Sequence, residues 1–470
     1  MNFLKKMFAP IDMTVGNPGK QIVAFTIPML IGNIAQQLYN TVDSIIVGRF
    51  VGDNALAAVG SAGPIFNLFL VLFIGISVGA GIVVSQYFGA RDREKLSKSI
   101  GACVTITAAS VLILMIVTPF CIRPLLALLN TPDTIIDSCF YYLLILSLGS
   151  VGPAYFNILS GVLRGLGDSF SALVYLLVST VINIVLDYVF VAYFGLGVGG
   201  VALATVIAQI ISAILSLRKL SQMSDIFDFK KEYLFSSREY MGQIISLGIP
   251  SGVTQVIFSL SAIVVQSLTN SFGEMFIASN VMVMRVDGFA ILPAFSFGAA
   301  MTTYAGQNLG AMKLDRIKQG ARQGTIIAML TSAVIVVFIY IFGHQLMSIF
   351  TNTEELVDLG YQMLCILLPG YIVFEVTQCL SGVMRGVGDT VTPMWISIIT
   401  TIIIRMPIAY IWAYLTRSEA LPNGDRACIF YSLLIAWCCG ALITFVVYRM
   451  GFWKKKAGIT EEFLEQNINV

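Results

Sequence analysis

Histidine and charge are what this sequence has least of. A single histidine, His344, stands in 470 residues. That excludes a histidine-rich metal site and any triad that needs an imidazole base, and His344 itself, at a predicted loop edge, is read as incidental. Charged residues make up 11% of the chain, against about 25% in a soluble protein. No cysteine pair is spaced CxxC, and the adjacent Cys438 and Cys439 are poorly placed for metal ligation or a simple disulfide. All eight cysteines are therefore read as apolar packing. There is no Walker motif, no HExxH and no GxSxG, so neither an ATP-driven pump nor a hydrolase of those types is expected, and no enzyme activity. The first 20 residues are polar and include Lys5, Lys6 and Lys20. No short apolar core with a cleavage site precedes the first long apolar run, so no cleaved signal peptide is expected. A formal net charge of +2 gives no sign of a nucleic-acid partner.

Apolar residues are there in excess, at 57%. A helix that crosses a bilayer needs about 20 of them in a row. Twelve runs qualify: 22–47, 55–86, 99–120, 138–160, 170–194, 198–217, 241–268, 277–304, 320–342, 358–382, 392–414 and 428–450. The expected fold is an all-α polytopic membrane protein. Gly and Pro inside the runs, among them Pro28, Gly75, Gly79, Pro250 and Pro369, are tolerated in membrane helices and predict kinks or close helix contacts. Lysine and arginine set the orientation. With both termini in the cytoplasm, 22 of the 28 fall in inner segments, 4 in outer segments, and Arg285 and Arg405 lie within spans.

The chain also repeats itself. Ser160-Gly-Val-Leu-Arg-Gly-Leu-Gly-Asp-Ser169 returns as Ser381-Gly-Val-Met-Arg-Gly-Val-Gly-Asp-Thr390, with 7 of 10 positions identical, at an offset of 221 residues. Ile27-Pro28 is echoed by Ile249-Pro250, and Gln86-Tyr-Phe-Gly-Ala90 by Gln307-Asn-Leu-Gly-Ala311. Self-similarity at half the chain length means a duplicated unit. The reading is an N-terminal six-helix lobe at 1–217, a cytoplasmic linker at 218–240, and a C-terminal six-helix lobe with a cytoplasmic tail at 241–470. Six spans per half insert both lobes in the same orientation, so their pseudo-two-fold axis runs along the membrane normal. The decapeptide falls in a cytoplasmic turn of each half. Its three glycines are read as permitting a tight turn, Asp168 and Asp389 as capping the following helix, and Arg164 and Arg385 as lying at headgroup level.

Ionisable groups inside spans are costly and are functional candidates. Asp43 lies near the outer end of span one. Asn183 and Asp187 share one face of span five at i, i+4. At 1.5 Å per residue Asp43 is roughly 6 Å, and Asp187 and Thr205 roughly 10 Å, from the outer face. Two carboxylates, an amide and a hydroxyl at one depth suit Na+. A proton can take the same place, because burial and a second negative charge favour a protonated carboxyl. The plainer alternative is a set of separate helix-end residues bonded to water. The positions equivalent to Asp43 and Asp187 in the second half are Val265 and Ile408. Glu375, roughly 25 Å from the outer face, belongs to a different site. It attracts a cationic substrate or neutralises Arg405 or Arg285. Arg285 and Asp287, at i, i+2, point apart.

Twelve spans in two halves, the linker, and the paired turns Leu163-Arg-Gly-Leu-Gly-Asp168 and Met384-Arg-Gly-Val-Gly-Asp389 together resemble the multidrug and toxic compound extrusion (MATE) family, over about residues 15 to 450. Asp43, Asn183, Asp187 and Thr205 match the first-lobe cation site of its prokaryotic members. The resemblance implies a secondary antiporter that exports organic, often cationic and aromatic compounds in exchange for Na+ or H+, without a bound cofactor. Its coupling-ion residues would be Asp43, Asn183, Asp187 and Thr205, and its substrate-binding residues Glu375, Gln36 and Asn40. Span seven carries Gln255 and Gln266 and no acid, which leaves the first-lobe set as the ion site implied. A monomer in a bacterial-type cell membrane is expected. The competing class is a lipid-linked oligosaccharide or lipid flippase of similar architecture. That class is expected to line its cavity with several cations, and only Arg285 and Arg405 are available. A channel fits a duplicated bundle with buried carboxylates less well than alternating access does.

Overall fold

The computed structural model describes residues 9–128, 131–235, 238–419 and 421–456. Among these residues the structure is helix and connecting turn, with no strand. In chain order the helices are α1 (Pro18–Phe50), α2 (Asp53–Gly89), α3 (Arg93–Leu128), α4 (Asp133–Leu148), α5 (Val151–Gly165), α6 (Ser169–Asp187), α7 (Gly197–Ser221) and the short α8 (Lys231–Phe235). They continue as α9 (Arg238–Asn270), α10 (Glu274–Ala290), α11 (Leu292–Gly310), α12 (Leu314–Ser348), α13 (Glu354–Gly386), α14 (Val391–Ile398), α15 (Met406–Leu415), α16 (Cys428–Met450) and α17 (Phe452–Lys456). Eleven helical stretches are long and apolar enough to cross a membrane, and α4 with α5 makes a twelfth bent by 52°. The bend falls at Gly149-Ser150, a pair of the kind that breaks the i to i−4 ladder. Two spans pass through π-helix: Tyr188–Tyr193, which follows α6 directly after Asp187, and Ile399–Arg405, which joins α14 to α15 and ends on Arg405. Such turns are rare and frequently sit at functional sites.

The duplication is visible in the backbone. Left-handed φ angles recur at an offset of 221: Gly52 and Gly273, Gly167 and Gly388, and the non-glycine pair Arg91 (55°) and Met312 (58°). The decapeptide does not fold as one tight turn, as its glycines had implied. Residues up to Gly165 are still helix α5, and only Gly167 takes a left-handed φ, of 89°. Gly161 and Gly165, one turn apart, are instead the contact face of α5 on α2. A Cβ on Gly161 would stand 2.5 Å from the Ser77 carbonyl oxygen, and one on Gly165 2.8 Å from that of Gly81. Gly382 and Gly386 meet Gly298 and Thr302 of α11 in the same way. Small residues four apart let membrane helices close to backbone contact. The capping role does hold. Asp168 accepts from the Ser171 N–H at 2.9 Å and from Ser171 Oγ at 2.6 Å, and Asp389 accepts from the Thr392 N–H at 3.2 Å. Arg164 is half-buried, with Nη2 3.5 Å from Ser77 Oγ.

The chain forms two compact units. One holds Ile27–Gly252 with the described residues before Met13, and the other holds Met13–Thr26 with the chain from Val253 onward. Of the three crossings, the two at Thr26/Ile27 and Gly252/Val253 fall inside helices, α1 and α9, beside Pro28 and Pro250. In the first unit α9 opens against α2. Tyr87 donates to Gln243 Oε1 at 3.1 Å, and a Cβ on Gly79 or Gly248 would run into the backbone of the other helix. The segment between α7 and α9 is fastened to α3. Arg93 grips Asp228 at 2.8 Å and the carbonyls of Ser224 and Asp225, and Phe227 is buried. The core of this unit gathers Phe73, Val83, Ile100, Ile158 and Val162, with a second cluster around Val47, Ile122, Leu143 and Val201. In the second unit the stretch from Met13 is pinned by the other copy of the Gln-x-x-Gly-Ala echo. Gln307 Oε1 accepts from the Met13 N–H at 2.9 Å, Asn308 Nδ2 donates to the Met13 carbonyl at 3.1 Å, and Arg316 reaches the Gly16 carbonyl at 2.9 Å. Its core gathers Val283, Leu364, Leu367, Tyr371, Phe374 and Trp437. All eight cysteines are unpaired. Cys103, Cys139, Cys379 and Cys428 are packed inside, whereas Cys438 is exposed. His344 is bonded at the surface to Asp358 at 2.9 Å.

Candidate functional site

Three helices of the first unit bring polar groups to one place. α1 contributes Tyr39 and Asp43, one turn apart. α6 contributes Asn183 and Asp187, and α7 contributes Thr205. The i, i+4 spacing on each helix stacks the side chains on one face, and the apolar remainder of each helix meets its neighbours or lipid. Asp187 and Asn183 are buried, at 0% and 1% exposure. Asp43 and Asp187 face each other within hydrogen-bonding reach. The Asn183 amide satisfies its neighbours with Nδ2 donating to Asp187 Oδ2 at 2.8 Å and its oxygen accepting from the Thr205 N–H at 3.2 Å. Turned the other way, Nδ2 lies 3.3 Å from Thr205 Oγ1 and the amide oxygen faces the carboxylate. Thr205 Oγ1 is also 3.3 Å from the Tyr39 hydroxyl. All four residues expected from sequence to share a depth thus lie in one cluster.

The chemistry of the cluster is one-sided. Asp43 Oδ1 and Asp187 Oδ1 are both buried without a donor. Buried acceptors are normally satisfied, so a pocket rich in acceptors and short of donors is one whose chemistry suits a cation. A small cavity adjoins it, lined by Gln36, Tyr39, Ser179, Asn183, Thr205 and Gln209 among others. Gln36 shares this cavity with Asn183 and Thr205 and is in reach of Asn40 at 3.5 Å, and Asn40 is exposed. Tyr39 and Gln209 are the members that sequence reading missed. Their signal was the spacing, since Tyr39 is one turn before Asp43 and Gln209 one turn after Thr205.

Glu375 lies in the second unit, on α13. It is fully buried, accepts from Ser332 Oγ at 2.6 Å, and keeps Oε2 without a partner. It pairs with neither of the arginines considered for it. Arg405 Nη1 is 3.5 Å from Ser261 Oγ, and Arg285 is exposed. Asp287, as its spacing implied, turns away from Arg285 and accepts from the Tyr371 hydroxyl at 2.8 Å. Phe374 and Tyr371 on the same helix pack tilted against Trp437 at 5.2 and 5.5 Å.

Comparison with known proteins points one way. The MatE family model matches residues 28–189 and again 250–411, two matches that start 222 residues apart and so follow the internal repeat. A probable multidrug resistance protein of Bacillus subtilis (strain 168), YoeA, is 31% identical over 439 residues, which covers 92% of this chain and 93% of the relative. A probable multidrug resistance protein of Thermotoga maritima, NorM, is 23% identical over 460 residues, or 95% and 96% of the two chains. A crystal structure of MATE in the bent conformation superposes with a TM-score of 0.87 at 26% identity, over 95% of this chain and 98% of that one.

Proposed function

The chain belongs to the MatE family of multi-pass membrane transporters, and from that membership we propose that it is a secondary antiporter, exporting organic, often cationic and aromatic compounds in exchange for Na+ or H+ by alternating access. The observation that carries the coupling reading is the contact between Asp43 and Asp187. Two like charges about 4 Å apart, at an effective dielectric constant of 20, repel by about 4 kcal/mol. A proton on one carboxylate removes that cost, and a cation between them outweighs it by its attraction to both. Na+ would draw on both carboxylates, the Thr205 hydroxyl and the Asn183 oxygen, with the amide turned so that the oxygen faces in. A proton would need the carboxylates alone. Either ion withdraws negative charge from where α1, α6 and α7 meet and lets them repack. An ion drives transport only by favouring one conformation over another, since equal affinity for both shifts nothing. Gln36 and Asn40 in the first unit and Glu375 in the second are assigned to substrate. The excess of lysine and arginine in the segments on one side supports a cell-membrane protein with both termini in the cytoplasm. We propose that it acts as a monomer.

The test is dye efflux from inverted vesicles under a Na+ gradient and a proton gradient imposed separately. Export that follows one gradient supports antiport and identifies the ion. Export indifferent to both would refute it.

A further inference from the structure

The last span of the second unit ends on positive charge that the protein does not neutralise. α16 runs 23 residues, Cys428 to Met450. At 1.5 Å per residue that is about 34 Å, close to the thickness of a hydrocarbon core, so its last turn stands at headgroup level. Between Cys428 and Thr460 the chain carries four cations, Arg449, Lys454, Lys455 and Lys456, and no acid. Arg449 is exposed on the helix face that also carries the exposed Leu442, Phe445 and Val446. Its guanidinium lies 5.9 Å over the Phe445 ring. It enters no ion pair among the described residues. At the end of α7, the last span of the first unit, Lys219 is neutralised within the protein by Asp168 at 3.6 Å.

The chain beyond α16 folds into a hook. Gly451 takes a left-handed φ of 75°, and its N–H bonds to the Tyr448 carbonyl at 3.2 Å, which ends the helix. Trp453 Nε1 donates to the same carbonyl at 3.1 Å, and its ring stacks on Tyr448 at 5.6 Å and 9°. Trp453 is thereby buried, while Phe452 beside it is 54% exposed. Lys454 Nζ lies 5.9 Å over the indole. Aromatic residues at the end of a span mark the membrane interface, and a basic cluster directly beyond it suits anionic lipid.

We propose that the end of α16 and the α17 hook form a binding surface for anionic phospholipid headgroups. A lipid phosphate supplies the counter-charge that Arg449 lacks, and the acyl chains lie along Leu442, Phe445 and Val446. The lysines of α17 favour a lipid with net negative charge over a zwitterionic one. Each basic residue at an anionic surface is worth up to about fivefold in affinity. On the orientation proposed above, the surface draws on the cytoplasmic leaflet.

Trp453 is the reporter, left as the sole tryptophan of the full-length protein by Trp395→Phe, Trp412→Phe and Trp437→Phe. In nanodiscs of dioleoylphosphatidylcholine, brominated phosphatidylglycerol should quench it at lower mole fractions than brominated phosphatidylcholine. Arg449→Gln should reduce that preference by up to about fivefold. Lys454→Gln, Lys455→Gln and Lys456→Gln together should remove most of it, and the three arginine substitutions at the same positions should keep it. If the single-tryptophan protein does not fold, native mass spectrometry of the wild type and the triple glutamine variant, titrated with each lipid, carries the test. The variant should then retain fewer phosphatidylglycerol molecules and as many phosphatidylcholines. Equal quenching by the two lipids in the parent protein would overturn the proposal, as would a preference or a lipid count that the triple glutamine variant leaves unchanged. Nanodiscs present both leaflets alike, so that outcome would leave the orientation and the export reading standing.

Discussion

Asp187→Asn is the sharpest probe of the coupling site. The substitution keeps the volume and an acceptor for the Asn183 amide, now 2.8 Å from Asp187 Oδ2. It removes one unit of charge from a residue that is 0% exposed. A cation about 4 Å away, at an effective dielectric constant of 20, loses about 4 kcal/mol of attraction, or roughly a thousandfold in affinity. The repulsion between Asp43 and Asp187 does not offset this for a metal ion, because it is present with and without the ion. Its removal acts on the ion-free protein, which should therefore melt at a higher temperature. Two signatures are expected together: a higher melting temperature in Na+-free buffer, and loss of the increase that Na+ or acid gives the wild type. In reconstituted vesicles, gradient-driven dye efflux should disappear while dye binding in detergent persists. Asp43→Asn should behave alike. Asn183→Ala should weaken Na+ dependence and spare proton-driven transport, because a proton needs a carboxylate and not an oxygen shell. If both aspartate variants export dye at the native rate under either gradient, the coupling assignment is wrong.

Other expectations follow from the same geometry. Gly161→Ala places a methyl 2.5 Å from the Ser77 carbonyl oxygen, so α5 and α2 must part, at a cost of about 1–3 kcal/mol visible as a lower melting temperature. Asp168→Ala removes the cap on α6 and should cost about 1–2 kcal/mol. Burial pushes the Asp168 carboxyl above its ordinary value, against Ser171 and Lys219, which pull it down. Its contribution to stability is then present below the ordinary carboxylate range and is lost as pH rises through the raised value, so Asp168→Asn, which keeps the cap, should flatten stability against pH between those points. Glu375→Gln should weaken export of cationic dyes more than neutral ones, and an equal loss for both would argue for a structural role beside Ser332. A single cysteine placed at Lys230 should react with an impermeant reagent in inside-out vesicles only, and reaction in intact cells would reverse the orientation.

The spans, their number and the duplication were legible because each rests on a long-range regularity: hydropathy over about 20 residues, or a motif returning after 221. The ion cluster was legible because buried charge is rare in a span, so Asp43 and Asp187 stood out, and helical spacing supplied Asn183. Tyr39 and Gln209 stayed hidden because a tyrosine or glutamine in a membrane helix is not costly enough to attract notice. The decapeptide was misread for a physical reason. Glycine serves both a left-handed turn and a close helix contact, and sequence cannot tell which. Here Gly167 does the first, and Gly161 and Gly165 the second. Partners across the bundle were illegible as well. Ser332 lies 43 positions from Glu375, and nothing local marks it.

The two halves diverged in a way that the shared fold explains. At the offset of 221 what recurs is what sets the backbone: the left-handed positions and the paired glycines under α5 and α13. What does not recur is the charge buried inside the spans. Asp187 corresponds to Ile408, and Asp43, at an offset of 222, to Val265, which is buried in the core of its unit. In the other direction Glu375 corresponds to Ala154, Asp287 to Phe66 and Arg405 to Ile184. A buried charge is tolerated only where neighbours are built to receive it. Glu375 has Ser332, but the equivalent of Ser332 is Val111, packed in an apolar cluster. A carboxylate moved to position 154 would meet that cluster with no donor. Each set of charges is therefore tied to a local shell that the other half lacks. The duplicated scaffold fixes where helices approach, and each half carries its own set of buried charges without disturbing the glycine contacts within it.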